Sequence, residues 1–119
     1  MARLRIPNDL GPGAPPQATT SALDRLAAGL DDAVPAKRAG QTLIIGTWNI
    51  ALFGGVTQKW ITGTDDTPKR NLSDLCAIAE VVSRFDICAI QETKRNLAAL
   101  RCLARILGKD WTFIVSDVT

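Results

Sequence analysis

Two polar residues of the sequence stand where a hard metal ion could bind. Asn49 lies near the end of an apolar run at residues 42–50, and Glu92 directly follows a short apolar run at residues 86–91. Carboxylate and amide oxygens are the ligands that Mg²⁺ prefers, and a sparse oxygen site leaves room for a phosphate oxygen. Both residues also have an ordinary structural interpretation. An Asn at a strand end is a common turn former, and a Glu before a helix stabilises its first turn.

The segments around these residues alternate between strand and helix patterns. Residues 42–50, 86–91 and 111–116 have the composition of buried strands, and the spacing of apolar residues predicts helices over 69–85 and 95–107. Such alternation favours parallel strands joined by right-handed crossovers. We therefore predict an α/β fold in the order strand, helix, strand, helix, strand. Neighbouring strands lie about 4.8 Å apart and end at one sheet edge, so both polar residues could contact one metal ion.

The first 40 residues differ in composition from the rest. Residues 1–40 contain five of the six prolines, and the run at 11–16 (GPGAPP) cannot form a helix or a central strand. We predict a flexible leader with a short helix over 21–30, followed by a domain over 41–119. Trp60 lies in the glycine-rich connection after the first strand, where it is a candidate for an exposed substrate contact.

Composition excludes several functional classes for this chain alone. The sequence has no histidine and no tyrosine, which excludes catalytic triads and zinc sites that use histidine. Cys76, Cys88 and Cys102 lie in apolar segments without metal-type spacing, so we expect buried, reduced thiols. The longest nearly apolar stretch, residues 43–55, is shorter than the roughly 20 residues of a membrane span, and no secretory signal precedes it. These features predict a cytoplasmic protein without a membrane span.

The order of these motifs resembles the start of the endonuclease/exonuclease/phosphatase superfamily, which has the deoxyribonuclease-I-like fold. The matching residues are IIGTWNI at 44–50, a helix that opens with the basic residues Lys69 and Arg70, and RFDICAIQETK at 84–94. In that family the Asn of the first strand and the Glu of the Gln-Glu pair belong to the divalent-metal site, which implies Asn49 and Glu92 here. The second motif is also similar to that of the abasic-site DNA repair endonucleases, except that Cys88 replaces an aliphatic residue.

The resemblance implies a phosphodiesterase that uses Mg²⁺ or Mn²⁺ and hydrolyses nucleic acid, most simply a DNA endonuclease or exonuclease. Glu92 would be the direct metal ligand, and Asn49 would orient a phosphate oxygen or a metal-bound water. Gln91 would hydrogen-bond the loop backbone beside the site. The candidate phosphate contacts are the basic residues that flank the motifs: Lys69, Arg70 and Lys94.

Family members are longer and use a histidine and further acids from the second half of the fold. We therefore expect this chain to be a truncated, N-terminal portion of the domain that supplies about half of one sheet. Alone it should be inactive, and the open sheet should promote self-association. The alternatives are a phosphatase or a lipid phosphodiesterase of the same superfamily, or an inactive chain that acts only as a metal- or partner-binding module.

Overall fold

The computed structural model describes residues 3–93 and 95–116, but not the side chains of Glu92 and Thr93. Three helices and two strands confirm the predicted α/β class. The longest helix of this part has 17 residues, and none there is long and apolar enough to cross a bilayer. In chain order the elements are α1 (Gln17–Ala33), β1 (Ile45–Phe53), α2 (Leu72–Val82), β2 (Ile87–Thr93) and α3 (Ala98–Leu107).

The two strands form a parallel pair joined by α2, as a parallel connection requires. The ladder is regular from Ile45 beside Ile87 to Asn49 beside Gln91. Beyond Asn49 it becomes irregular, because the four steps along β1 to Phe53 match only two steps along β2. Leu52 accommodates the extra length with a φ of 52°, a conformation that is rare for a residue with a side chain.

The prediction of a third strand at residues 111–116 is wrong, because within the described residues the sheet has two strands. A turn from Gly108 to Trp111 follows α3, and the Lys37 ammonium lies 5.1 Å from the centre of the Trp111 ring. These contacts hold Trp111 against the connection between α1 and β1. A cavity of about 750 Å³ lies between the segment that follows and β2, so no ladder forms on that edge.

Helix α2 is the centre of the hydrophobic core. Leu72, Leu75 and Ala79 on this helix have no exposed surface. The helix packs against both α1 and α3, and the inner face of the sheet closes the core from the other side. Burial of an apolar side chain of this size contributes roughly 1.5–3 kcal/mol, so α2 supplies much of the stability.

Both predicted helices begin later than their apolar spacing suggests, and a side-chain cap explains the start of α2. The Asn71 side chain accepts a hydrogen bond from the Asp74 N–H at 2.9 Å, and the Asp74 carboxylate accepts one from the Asn71 N–H at 3.0 Å. This reciprocal cap starts α2 at Leu72 rather than at residue 69. At α3 the Asn96 side chain accepts from the Ala98 N–H at 3.0 Å.

The predicted flexible leader is wrong, because residues 3–33 pack on the rest of the molecule. Leu10 and Leu23 are buried in the same core as α2, and Ala27 is buried as well. The leader helix is also longer than predicted, since it begins directly after Pro16 and continues to Ala33. The apolar stripe of α1 required a second helix to pack against, and α2 provides it.

A buried network of charges fixes the leader to α2. The Glu80 carboxylate, 1% exposed, accepts from the Leu4 N–H at 2.8 Å and from the Arg84 guanidinium at 3.2 Å. Arg84 also donates to the Ala27 carbonyl at 3.2 Å and to Asp31 at 2.5 Å. The guanidinium holds the pKa of Asp31 below its usual value. An acid at the end of a helix is normally unfavourable, and Arg84 offsets that cost here.

Candidate metal centre

Two of the predicted site residues lie side by side at the last regular pair of the β1–β2 ladder. Asn49 and Gln91 are register partners in the β1–β2 ladder, and both are exposed. Partners in adjacent strands share one face of a sheet, so both belong to the face that no helix of the described residues covers. An amide oxygen in that position is accessible to an ion or a substrate.

Glu92 is the next position along β2, so its backbone stands one residue beyond the partner of Asn49. Its side chain lies outside the described residues, as does all of Lys94. Among the groups that the structure does describe, no cluster of three or more His, Cys, Asp or Glu residues could hold a metal. The site predicted from the sequence is sparser than such a cluster, with one amide and one carboxylate, and its oxygen-only donors suit a hard cation.

Arg70 is placed at this edge, where it supports the irregular end of β1. Its guanidinium donates to the carbonyls of Ala51 and Leu52, each at 3.0 Å, and lies 5.7 Å from the centre of the Phe53 ring. A guanidinium has five N–H donors, so two such bonds leave others for an anion. Arg70 therefore stands beside the predicted site with a structural role that the sequence did not indicate.

Lys69 points into the connection between β1 and α2. Its ammonium donates to the carbonyls of Gly63 and Thr64 at 2.6 and 2.7 Å. In the same turn the Asp66 carboxylate accepts from Lys59 and from the Gly63 N–H, each at 2.8 Å, and these donors lower the pKa of Asp66. The structure thus uses Lys69 to shape this loop, and does not place it beside Asn49.

The expectation of an exposed Trp60 is wrong. The side chain is buried, with 6% of the residue exposed, and its indole N–H donates to the Gly13 carbonyl at 3.4 Å. A Cβ at Gly11 would lie 3.1 Å from the indole ring, so glycine permits the leader to pack this closely. The glycines of the leader indicate that its backbone can approach another group closely. They do not indicate that this group is Trp60.

The beginning of α3 also lies at this edge, which the sequence did not indicate. The Ala99 N–H donates to the Gly54 carbonyl at 2.7 Å, and Gly55 packs near the Asn96 side chain. The amino end of a helix carries partial positive charge, which favours an anion nearby. The glycine pair after β1 therefore joins the end of one strand to the start of the helix that follows the other.

The three cysteines are free, and burial raises the pKa of each thiol. The pKa of Cys76 rises to about 12, so this thiol stays protonated at neutral pH. Cys76 and Cys102 are buried, whereas Cys88 on β2 is partly exposed. A protonated thiol is a weak nucleophile, which agrees with the structural role predicted for these residues.

Comparison of the chain with protein-family models, with curated proteins and with solved structures finds no match. The interpretation of this edge therefore depends on the motifs of the sequence and on the geometry described above.

Proposed function

We propose that this chain is the N-terminal portion of a divalent-metal-dependent phosphodiesterase that acts on nucleic acid, as a DNA endonuclease or exonuclease. One observation carries the proposal: the parallel pair brings Asn49 beside Gln91, the residue before Glu92, on an exposed sheet edge. Asn49 and Glu92 lie 43 positions apart in the chain, and a metal site that uses both requires β1 and β2 to be neighbours.

The residues at this edge suit phosphodiester chemistry. Bound Mg²⁺ or Mn²⁺ would supply a Lewis acid that polarises a phosphate oxygen. Glu92 would hold the ion through its carboxylate, and the Asn49 amide would orient a phosphate oxygen or a water. Gln91 would hydrogen-bond the nearby backbone, and the remaining donors of Arg70 would face the phosphate. The start of α3 adds a favourable field for the anion.

The chain alone should bind the metal without turning over substrate. It contains no histidine, and a positioned general acid or base contributes roughly 10²–10⁴-fold to such reactions. We expect purified chain to leave plasmid DNA intact in Mg²⁺. Cleavage that Glu92→Gln abolishes would show that this chain is active by itself.

Metal binding is the direct test of the site. Calorimetric titration with Mn²⁺ should give weak binding that Glu92→Gln reduces at least about tenfold and that Asn49→Ala also weakens. Asp32→Asn, a matched loss of one exposed carboxylate on α1, should bind like the wild type. Equal affinity of wild type and Glu92→Gln would remove the site assignment.

The substrate alternatives are phosphate monoesters and phospholipids, which other branches of the superfamily hydrolyse. The effect of each ligand on the Mn²⁺ affinity separates these alternatives, because a substrate that binds beside the metal should change that affinity. Short DNA oligonucleotides should change the Mn²⁺ affinity, whereas inositol phosphates and phosphocholine should not. The reverse result would favour a phosphatase or a lipid phosphodiesterase.

A second candidate function, a partner-binding module without catalysis, is favoured by the uncovered face of the sheet. Ile45 and Ile87, which are register partners, are 60% and 52% exposed. Parallel sheets are normally covered on both faces, so an open apolar pair is typical of a surface that another chain covers. Metal binding that is absent in the wild type would leave this candidate as the better one.

A further inference from the structure

We propose that the outward face of α3 binds the phosphate backbone of nucleic acid through Arg101 and Arg105, and that Asp9 of the leader competes for this face. The inference rests on the proposed function for its ligand class, but it concerns residues outside the metal centre and does not require a metal. It names a binding surface on the helix that follows the site.

The charge of the chain is strongly segregated. Residues 93–109 contain five of the 14 basic residues and none of the 12 acidic ones. The remainder of the chain is therefore net negative, although the whole chain has a formal net charge of +2. A basic segment of this kind, set against an acidic remainder, is the electrostatic pattern of a surface that contacts a polyanion.

The fold turns this segment into a basic face. Of the ten residues of α3, all within the described part of the chain, only Arg101 and Arg105 are exposed. They are four positions apart, so they lie on the same side of the helix, about 6 Å apart along its axis. The opposite side packs into the core through its buried residues: Ala99, Cys102, Leu103 and Ile106.

Each arginine is available to a ligand. Arg101 makes no side-chain ion pair or hydrogen bond with any described residue. The guanidinium of Arg105 contacts the carboxylate of Asp9, yet the two side chains remain 47% and 83% exposed. Exposed ion pairs of this kind contribute less than about 1 kcal/mol, so an anion of higher charge can displace the carboxylate.

The chemistry of this face favours nucleic acid over a lipid surface. A helix that lies on a membrane presents an exposed apolar side beside its charges. The apolar side of α3 packs against α2 instead, and the two residues of the helix in the exposed class are both arginines. Arginine suits phosphate because its planar fork can donate two parallel hydrogen bonds.

The test is fluorescence anisotropy with a labelled single-stranded DNA oligonucleotide in EDTA, at several salt concentrations. The double variant Arg101→Gln/Arg105→Gln should weaken binding at least about tenfold at low salt. Because each phosphate contact contributes about 0.7 to the slope of log K against log salt, the slope should fall by about 1.4. The control Arg25→Gln/Arg38→Gln removes the same charge from exposed sites outside α3 and should weaken binding less than about threefold.

Asp9→Asn is the sharper variant, because it should strengthen binding by about two- to fivefold in the wild type and change nothing in Arg105→Gln. Two results would overturn the proposal: equal weakening by the two double variants, or binding to anionic phospholipid vesicles that matches binding to DNA. DNA binding is measured in EDTA, so this assay does not depend on the metal centre. Loss of Mn²⁺ binding alone would therefore contradict the metal centre, and loss of arginine dependence alone would contradict this surface.

Discussion

The two sides of the β1–β2 sheet differ sharply in how they are covered. The inner side, which includes Trp48, Ile50 and Ile90, packs on the helices and belongs to a continuous core. The outer side carries Ile45 and Ile87 in register, and both are more than half exposed. The same two strands thus have one face that resembles a protein interior and one that resembles an interface.

The comparison shows that the packed core lies on one side of the ladder, whereas Asn49 and Gln91 lie on the other. The helical side buries most of the apolar surface, which is the main source of stability, together with the Glu80–Arg84 ion pair. The open side contributes little burial, but it presents Asn49 and Gln91 at the sheet edge. Substitutions on the two sides should consequently have very different effects, and four experiments measure that difference.

The largest effect is expected from Glu80→Ala on the helical side. Loss of this carboxylate leaves the buried Arg84 guanidinium without its partner on α2 and the Leu4 N–H without an acceptor. Breaking a buried pair in this way costs about 3–5 kcal/mol. Urea titration followed by tryptophan fluorescence measures the free energy of unfolding.

The matched control is Asp24→Ala, which removes an exposed carboxylate that pairs with Arg3 at 2.6 Å. Asp24 is 65% exposed, so its loss should cost less than about 1 kcal/mol. If Glu80→Ala and Asp24→Ala destabilise the protein equally, the buried network does not hold the leader as described.

Gly46→Ala tests how tightly the inner side of β1 is packed. A Cβ at this position would lie 2.7 Å from Cε1 and 2.8 Å from Cδ1 of the Phe85 ring. Forcing extra atoms into a packed core costs about 1–3 kcal/mol. Thr47→Ala changes the next residue of the strand, which is exposed, and should change the free energy of unfolding by less than about 1 kcal/mol. Equal effects would mean that the two sides do not differ in packing.

The pH dependence of the free energy of unfolding should reflect the burial of the Cys76 thiol away from water. Its pKa is about 12 in the folded protein and near 9.0 when exposed. Between these values the unfolded chain releases a proton that the folded chain keeps. The contribution of this thiol to the free energy of unfolding should therefore be constant below about pH 9 and fall as the pH rises further, by up to about 1.4 kcal/mol per pH unit.

Cys76→Ala should make that decline shallower, even though it also lowers the stability at neutral pH. The chain has no tyrosine, so no phenol ionises in the same range. Urea titrations at intervals from pH 8 to pH 11 give the slope, and identical slopes in both proteins would contradict a protonated Cys76.

The smallest effect on stability is expected on the open side. Ile45→Thr/Ile87→Thr removes exposed apolar surface and should change the free energy of unfolding by less than about 1 kcal/mol. It should, however, reduce the self-association expected of the wild type at high concentration, which sedimentation velocity measures. Ile61→Thr makes the same change at a residue that is 67% exposed in a loop, and should leave association unaltered.

Local sequence pattern predicted the elements whose signals are contained in a short segment. The apolar runs gave both strands and their order, and the stripes of Leu and Ala gave α2 and α3 to within a few residues at each end. The parallel pairing of β1 and β2 followed from the alternation of strands and helices. The shared edge of Asn49 and Glu92 stays a prediction, because the ladder pairs Asn49 with Gln91 and the Glu92 side chain lies outside the described residues.

The errors of prediction share one cause, which is a partner far away in the chain. The leader contains prolines and glycines that suggest flexibility. However, Leu10 and Trp60, which are 50 positions apart in the sequence, are buried in the same core. The residues at 111–116 have the composition of a strand, yet Trp111 is held by Lys37 and the ladder with β2 does not form. Composition is a property of one segment. The packing of the leader and the absence of a ladder at residues 111–116 depend instead on contacts with distant parts of the chain.

The sequence by itself determined the α/β alternation, the amphipathic helices and the positions of Asn49 and Glu92, because periodicity and residue chemistry are local properties. Only the tertiary structure decided that the leader is part of the core and that one face of the sheet is open. It also decided that Arg70 supports the end of β1. Arg84 reaches Asp31 across 53 positions, and the energy of such a contact exists only after the chain has folded.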